Sequence, residues 1–378
     1  MSTGTASTST ASTSTVPQVA ASRHRVAFHP LRVETVERLT ADAVAVTFEV
    51  PPELADDYTF SPGQHLTLRT DVAGSEVRRS YSLCSPPSEG RLRVAVKRIE
   101  GGVFSGHANA GLAVGDVIDV MTPAGRFGRV PDPSARRRYA AVVAGSGITP
   151  VMSVMGAVLD VEPASTFTLV YGNRDSSTVM FADEIADLKD SYPDRLQLVH
   201  VLSREPHDAE LLHGRLDAAK LDRLLDTLLP PERVDDWFLC GPLAMVEQVR
   251  ATLVARGVPS AAVHLELFHV DGEPPRVARV RPAEGDVGCA VTVRLDGRSS
   301  SFPMPDEGSV LDAVLAVRAD APFACKGGVC GTCRVLVREG AVEMARSYAL
   351  EPEEVEQGYA LACQSVPTSA RLMVDFDV

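Results

Sequence analysis

Four cysteines near the C-terminal end constrain this chain of 378 residues more than any other feature. Cys325, Cys330 and Cys333 fall within nine residues, and Cys363 follows 30 positions after the third. A C-x4-C-x2-C run with a distant fourth thiol is the plant-type ligand spacing of a [2Fe-2S] cluster. Gly327, Gly328 and Gly331 lie between the thiols, where the backbone must wrap closely and turn N–H groups toward sulfur. A structural zinc site pairs Cys-x-x-Cys hooks at both ends, and here only Cys330 and Cys333 form such a pair. A disulfide framework fits less well, because Cys84, Cys240 and Cys289 are left over and nothing marks the chain as secreted. The spacing therefore predicts Cys325, Cys330, Cys333 and Cys363 as metal ligands.

The length corresponds to about two or three domains, each large enough to bury a core. No apolar run approaches a membrane span, so no membrane partner is expected. Met1 to Ala21 is rich in Ser, Thr and Ala without a basic start or an apolar centre; residues 1–24 read as a disordered tail, and the location as cytoplasmic. A net charge of −13 argues against nucleic acid as a partner, since phosphate binding needs a basic face.

The texture of the chain changes three times. Over residues 25–133 short alternating segments (Ala43–Val50, His65–Thr70, Arg91–Arg98 and Asp116–Met121) read as strands of a small antiparallel barrel. Over 134–270 strands at Tyr139–Ala144, Phe167–Gly172, Leu196–Val201 and Trp237–Cys240 alternate with helices through Pro150–Asp160, from Phe181, near Leu216–Leu229 and from Leu243. That alternation predicts a parallel α/β domain with helices on both faces of the sheet. Residues 271–288 read as a semi-rigid linker. In 289–378 a hairpin (Ala290–Leu295, Ser299–Met304), a helix (Ser309–Arg318) and a strand (Arg334–Arg338) surround the cysteine loop. The acidic run Glu351–Glu356 reads as a solvated helix face or a docking face.

Several short motifs carry chemistry. Arg79, Tyr81 and Ser82 offer a cation for a pyrophosphate, a ring for an isoalloxazine and a hydroxyl near its reactive nitrogen, although such a tetrad alone also fits an ordinary strand. Gly102, Val103 and Ser105 open a short helix whose N–H groups suit a second phosphate, or simply form a capped turn. Gly145, Gly147, Thr149 and Pro150 lie between a strand and a helix, where backbone approaches phosphate. The full Gly-x-Gly-x-x-Gly pattern is absent, and Asn173-Arg174 replaces the acidic residue that ends the second strand of a dinucleotide fold. Ser203 and Arg204 suit a 2′-phosphate or an exposed loop, with NADPH favoured over NADH. Cys240, Gly241 and Pro242 end the last strand in a turn that can bring a thiol to a nicotinamide, although such a cysteine is usually core.

In that order and spacing, the motifs at Arg79–Ser82, Gly145–Pro150 and Cys240–Pro242 resemble the signature set of the ferredoxin-NADP reductase superfamily, and the tail resembles a fused plant-type ferredoxin. The resemblance runs from about Arg25 to Val378. It implies an antiparallel FAD-binding β-barrel, a parallel α/β NADP-binding domain and a C-terminal β-grasp ferredoxin domain, with FAD, a [2Fe-2S] cluster and NADPH as cofactors. It also implies that Ser82 and Cys240 act at the hydride-transfer site, and that Glu266 and Phe268, in the run from His264, lie close to the flavin. Leu211–Arg215, His264–Glu266, Cys325–Cys330, Tyr348–Pro352 and Val374–Asp377 resemble reductases that serve phenylacetyl-CoA epoxidase, a di-iron oxygenase. An oxygenase component is thus the implied partner. Reductases of ketosteroid and ring hydroxylases are similarly built.

Overall fold

The computed structural model describes residues 26–268, 289–304 and 307–378. The expected tail and linker, residues 1–24 and 271–288, lie outside the described residues.

The first domain is an antiparallel six-stranded sheet of β1 (Phe28–Thr40), β2 (Ala43–Glu49), β3 (His65–Val72), β4 (Ser75–Ser82), β5 (Leu92–Lys97) and β6 (Val117–Met121), in the order β4-β3-β6-β1-β2-β5. A bridge from Leu83, just past β4, to Val94 of β5 joins the two ends of that order and closes the barrel. Leu31, Val33, Val44, Val46, Leu66, Leu68, Val94, Ile118 and Val120 fill its interior. These side chains alternate along their strands, so one face of each is apolar. Helix α1 (Val103–Ala110) lies at the barrel, inserting Phe104 and Ala108 into the same core.

The second domain alternates β7 (Arg138–Ala144), α2 (Ile148–Val161), β8 (Thr166–Asn173), α3 (Ala182–Ser191), β9 (Leu196–Leu202), α4 (Ala218–Thr227), β10 (Asp236–Cys240), α5 (Leu243–Ala255) and β11 (Val263–Glu266). Its strands are all parallel, in the order β11-β10-β7-β8-β9. A sheet covered on both faces demands strands that are apolar on both sides. Phe238 packs with Tyr139, Phe167 and α2 on one face, while its neighbour Trp237 packs with Leu224 and Val249 of α4 and α5 on the other. Helix α3 starts one residue later than expected, because Phe181 holds a left-handed φ of 59° and turns its buried ring under the Arg93 guanidinium. No helix among the described residues is long and apolar enough to cross a membrane.

The third domain is a mixed sheet of β12 (Ala290–Leu295), β13 (Arg298–Pro303), β14 (Arg334–Glu339), β16 (Tyr359–Leu361) and β18 (Arg371–Asp375), covered by α6 (Val310–Leu315). A two-stranded ribbon of β15 (Val342–Met344) and β17 (Ser365–Pro367), and α7 (Pro352–Glu356), complete it. Strand β12 pairs antiparallel with β13 but parallel with β18, so the chain's last strand lies inside the sheet. Helix α6 is shorter than the expected Ser309–Arg318: Ser309 is its N-cap, in a reciprocal capping box with Asp312.

Polar contacts stitch the domains together. Arg93 of β5 is 4% exposed and places two nitrogens on the Glu184 carboxylate of α3, at 2.9 and 3.0 Å, and one on Glu37 of β1 at 2.6 Å. The third domain meets the barrel through Arg126–Glu354 (2.6 Å) and through Arg78 stacked 4.2 Å over the Phe323 ring. Glu354 also pairs with Arg334, so this part of the acidic run faces inward.

Truncating the fully buried Phe238 to Ala removes ring contacts with Phe127, Tyr139, Phe167 and His264. The expected loss is about 3–5 kcal/mol. Urea unfolding followed by fluorescence of Trp237, the chain's single tryptophan, reads it in the same domain.

Candidate active site and cluster loop

Strand β4 ends at the motif Arg79 to Ser82. Tyr81 is half-buried and its ring lies 5.3 Å from Phe104 of α1, which sets the start of α1 beside the end of β4. Burial pushes the Tyr81 hydroxyl far up, so it stays a neutral phenol. Arg79 is exposed and bonds only the Arg78 carbonyl, leaving its guanidinium without an ion pair among the described residues. At the start of α1 the buried Ser105 hydroxyl accepts from Ile99 N–H and donates to the Gly102 carbonyl. That hydroxyl therefore shapes the turn, and the unsatisfied N–H groups of Val103 to Ser105 are what the helix end offers an anion.

In the second domain, β7 runs into a tight turn at Gly145–Gly147 and then α2. The Tyr171 hydroxyl donates to the Gly145 carbonyl at 3.0 Å, and Thr149 donates to Ser146 at 3.0 Å. Both hydroxyls are thus spent on the turn and not free for a ligand. Gly147 is required by crowding, because a Cβ there would overlap the Cys240 carbonyl. Gly147 thereby meets Cys240 and Gly241 at the paired carboxyl ends of β7 and β10.

Strand β11 carries the group that the short motifs alone do not reveal. It pairs parallel with β10 so that Glu266 stands opposite Cys240. The strand is locked in register by His264, whose Nε2 is 3.0 Å from the buried Asp236 carboxylate and whose ring stacks 4.9 Å from Phe238. Asp236 also holds Arg137 at 2.8 Å. Across the domain boundary, Ser82 Oγ donates to Glu266 Oε1 at 2.8 Å. Ser82, Cys240 and Glu266 therefore converge from three strands. Burial raises the Glu266 carboxyl to about 8, with the Ser82 hydrogen bond opposing that rise, so it is predominantly protonated at neutral pH. Burial, reinforced by the neighbouring Glu266 whenever that group ionises, pushes the Cys240 thiol well up and keeps it neutral. Glu266 Oε2 is buried with no partner, an orphaned polar atom that a ligand in this cleft would satisfy. His65, opposite Ser82 in the β3–β4 register, is a second buried group with an unpartnered nitrogen, and burial lowers it to about 4. Phe268, two residues beyond Glu266, is 38% exposed.

Farther along the same edge of the sheet, Ser203 and Arg204 extend past β9, donating backbone N–H groups to Asn173 and Arg174. The Arg204 side chain is exposed without an ion pair among the described residues, whereas Arg174 contacts Asp42 of the barrel at 3.2 Å. The second and third strand ends are thereby brought together.

The four cluster cysteines gather as two pairs, Cys325 beside Cys330 and Cys333 beside Cys363. The loop achieves this with left-handed backbone at Lys326, Gly328 and Gly331. The Cys330 thiol and the N–H groups of Gly327, Val329 and Cys330 hold Cys325 well below the usual thiol range, against burial. Cys363 is lowered in the same way by Cys333, Gln364 and the Gly328 N–H. Two thiol pairs in an N–H-rich loop fit a dinuclear iron centre, each pair serving one iron. Val329, between the first two cysteines, packs on a core of the second domain. The cluster loop thus sits at the junction of the three domains.

Three family models match in chain order: the oxidoreductase FAD-binding domain over residues 30–128, the oxidoreductase NAD-binding domain over 142–251 and the 2Fe-2S iron-sulfur cluster binding domain over 293–368. The chain is 47% identical to a component of the 1,2-phenylacetyl-CoA epoxidase of Escherichia coli (strain K12), over 93% of this chain and 98% of that one. It is 37% identical to the ferredoxin reductase component of 3-ketosteroid-9-alpha-monooxygenase of Rhodococcus rhodochrous, over 92% and 96%. Among solved structures, phthalate dioxygenase reductase is 25% identical and superposes with a TM-score of 0.56, over 92% of this chain and 98% of that one. The chain belongs to the family of oxygenase reductases that carry FAD-binding, NAD-binding and 2Fe-2S domains on one polypeptide.

Proposed function

We propose that this chain is the reductase of a phenylacetyl-CoA epoxidase, drawing electrons from NADPH and delivering them singly to a di-iron oxygenase component. The convergence of Ser82, Cys240 and Glu266 carries the hydride-transfer reading, and the 47% identity along nearly the full length of both chains supports the partner. FAD supplies the exchange between a two-electron nicotinamide and a one-electron iron–sulfur centre.

The protein's own residues do the rest. Arg79 would offer its guanidinium to the flavin pyrophosphate, Tyr81 would supply a ring to the isoalloxazine, and Gly102, Val103 and Ser105 form a helix start that would take a phosphate. Gly145, Gly147, Thr149 and Pro150 form the corresponding cradle for the dinucleotide. Cys240, Gly241 and Pro242 would bound the nicotinamide site, where a neutral thiol and a protonated carboxyl place no fixed negative charge. Ser82, held by Glu266, would offer its hydroxyl to the flavin, and the exposed Phe268 ring would lie over it. Arg174, Ser203 and Arg204 form the site for a 2′-phosphate, which is the basis for NADPH over NADH. Cys325, Cys330, Cys333 and Cys363 hold the two irons. A second reading, service to a ketosteroid hydroxylase, draws on the 37% identity to that reductase component.

The deciding experiment adds the purified protein to the oxygenase component under air and follows NADPH oxidation. Oxidation that depends on phenylacetyl-CoA and consumes oxygen supports the assignment; dye reduction without that response moves the partner to another oxygenase. Cys330→Ser should abolish delivery to the oxygenase while NADPH-to-dye activity persists, and loss of both would refute a modular relay. Arg204→Ala should weaken the NADPH preference by on the order of tenfold, about 1.4 kcal/mol; unchanged NADPH and NADH constants would remove Arg204 from that role.

The raised Glu266 pKa fixes a further sign. An acid held at about 8 against an ordinary value of 4.5 favours the native state fully below pH 4.5, and that contribution is lost as pH rises to about 8. Flavin reduction by NADPH should fall as pH passes through about 8. Glu266→Gln, which is neutral throughout, should flatten both profiles; an unaltered pH dependence of unfolding and of flavin reduction would show that this carboxyl is not the titrating group.

A further inference from the structure

Gln364 follows the fourth cysteine directly, is 5% exposed, and folds its side chain back over the first cysteine turn. Its Nε2 lies 2.8 Å from the Lys326 carbonyl, 3.2 Å from the Cys363 carbonyl and 3.6 Å from Cys363 Sγ. Three acceptors around one nitrogen fix the orientation of the amide, because the reverse assignment would set an oxygen against two carbonyls and a sulfur. Oε1 has no partner among the described residues, so the orientation is decided from the nitrogen end. The loop packs closely on this side chain: a Cβ on Gly328 would lie 3.0 Å from Gln364 Cγ. The amide has two N–H bonds to distribute. One serves Lys326, whose left-handed φ of 51° turns its carbonyl into the loop, and the other is shared between the carbonyl and the sulfur of Cys363. An iron-bound thiolate is a charged acceptor and draws the shared N–H more strongly than a neutral carbonyl does.

We infer that Gln364 is a positioning residue that hydrogen-bonds the sulfur of Cys363 and thereby raises the reduction potential of the [2Fe-2S] centre, while its other N–H ties the Cys325 turn to the fourth ligand. The two cysteines it links belong to different thiol pairs, so one amide spans the ligand sets of both irons. A donor aimed at ligand sulfur stabilises the added negative charge of the reduced centre more than it stabilises the oxidised one. The inference rests on the four-cysteine assignment. Purified wild-type protein without iron–sulfur absorption would sink that assignment rather than the role of Gln364.

The test is an EPR-monitored redox titration of the full chain with Gln364→Met, which keeps the length without a donor, and Gln364→Glu, which replaces the donor by an anion. Both variants should show a lower cluster midpoint than wild type, the Glu variant lower still, together with a shifted EPR signal and an unmoved flavin midpoint. A cluster midpoint equal to wild type in the Met variant would overturn the inference. If the Met variant fails to retain iron, the Glu variant decides by the same comparison. Iron lost from both while the domain stays folded by circular dichroism would assign Gln364 to the clasp alone and overturn the tuning role.

Discussion

The hydrogen bond from Ser82 to Glu266 is the contact on which the site depends, because it joins residues 184 positions apart and crosses from the barrel into the nucleotide domain. Neither partner can reach the other unless both domains are folded and docked. The bond also sets a chemical condition. A carboxylate sealed from water with one hydroxyl for company would be costly, and the group responds by keeping its proton. Glu266 and Cys240 are therefore both neutral where their strands meet.

That arrangement is maintained from behind by contacts that never face a ligand. Arg93 grips Glu184 and Glu37 from a buried position and fixes α3 of the nucleotide domain against the barrel. Asp236, at the far end of β10 from Cys240, anchors His264 and with it the register of β11. Burial would raise this carboxyl, but the His264 hydrogen bond and the Arg129 and Arg137 guanidiniums hold it below its usual range, so it remains an anion. Two buried carboxyls on adjacent strands thus take opposite protonation states for opposite tasks. Asp236 is charged and structural; Glu266 is neutral and lines the cleft.

The module order and the strand-to-helix turns are readable in the sequence because each is local. Glycines and prolines at 145–150 and 240–242, and four cysteines at a fixed spacing, announce themselves within a few residues. Strand β4 carries no such signal, since Ser75–Ser82 is mostly polar and buries only Val77 and Ser82. Long β1 is hidden for a similar reason, its burial pattern being interrupted by register shifts near Val33–Thr35 and Arg38–Thr40. Glu266 is reachable only through family resemblance, because a lone glutamate in a four-residue strand carries no signal of its partner. Ser105 and Thr149 show the converse difficulty: a hydroxyl beside a phosphate-type turn looks like a ligand group, yet both are bonded to the turn's own backbone. Only three-dimensional accounting of donors and acceptors separates the two uses.

The junction of the third domain is thinner than the one that carries Ser82 and Glu266, where Ala43, Ala45, Cys84, Ala95 and Phe127 of the barrel share a buried core with Tyr139 and Ile148 of the nucleotide domain. Among the described residues the third domain is held by an Arg126–Glu354 pair, an Arg78–Phe323 stack and Val329. Contacts of that kind can be exchanged one at a time without opening a shared core. Redesigning those few contacts can therefore re-seat the cluster domain without disturbing the core that the other two domains share.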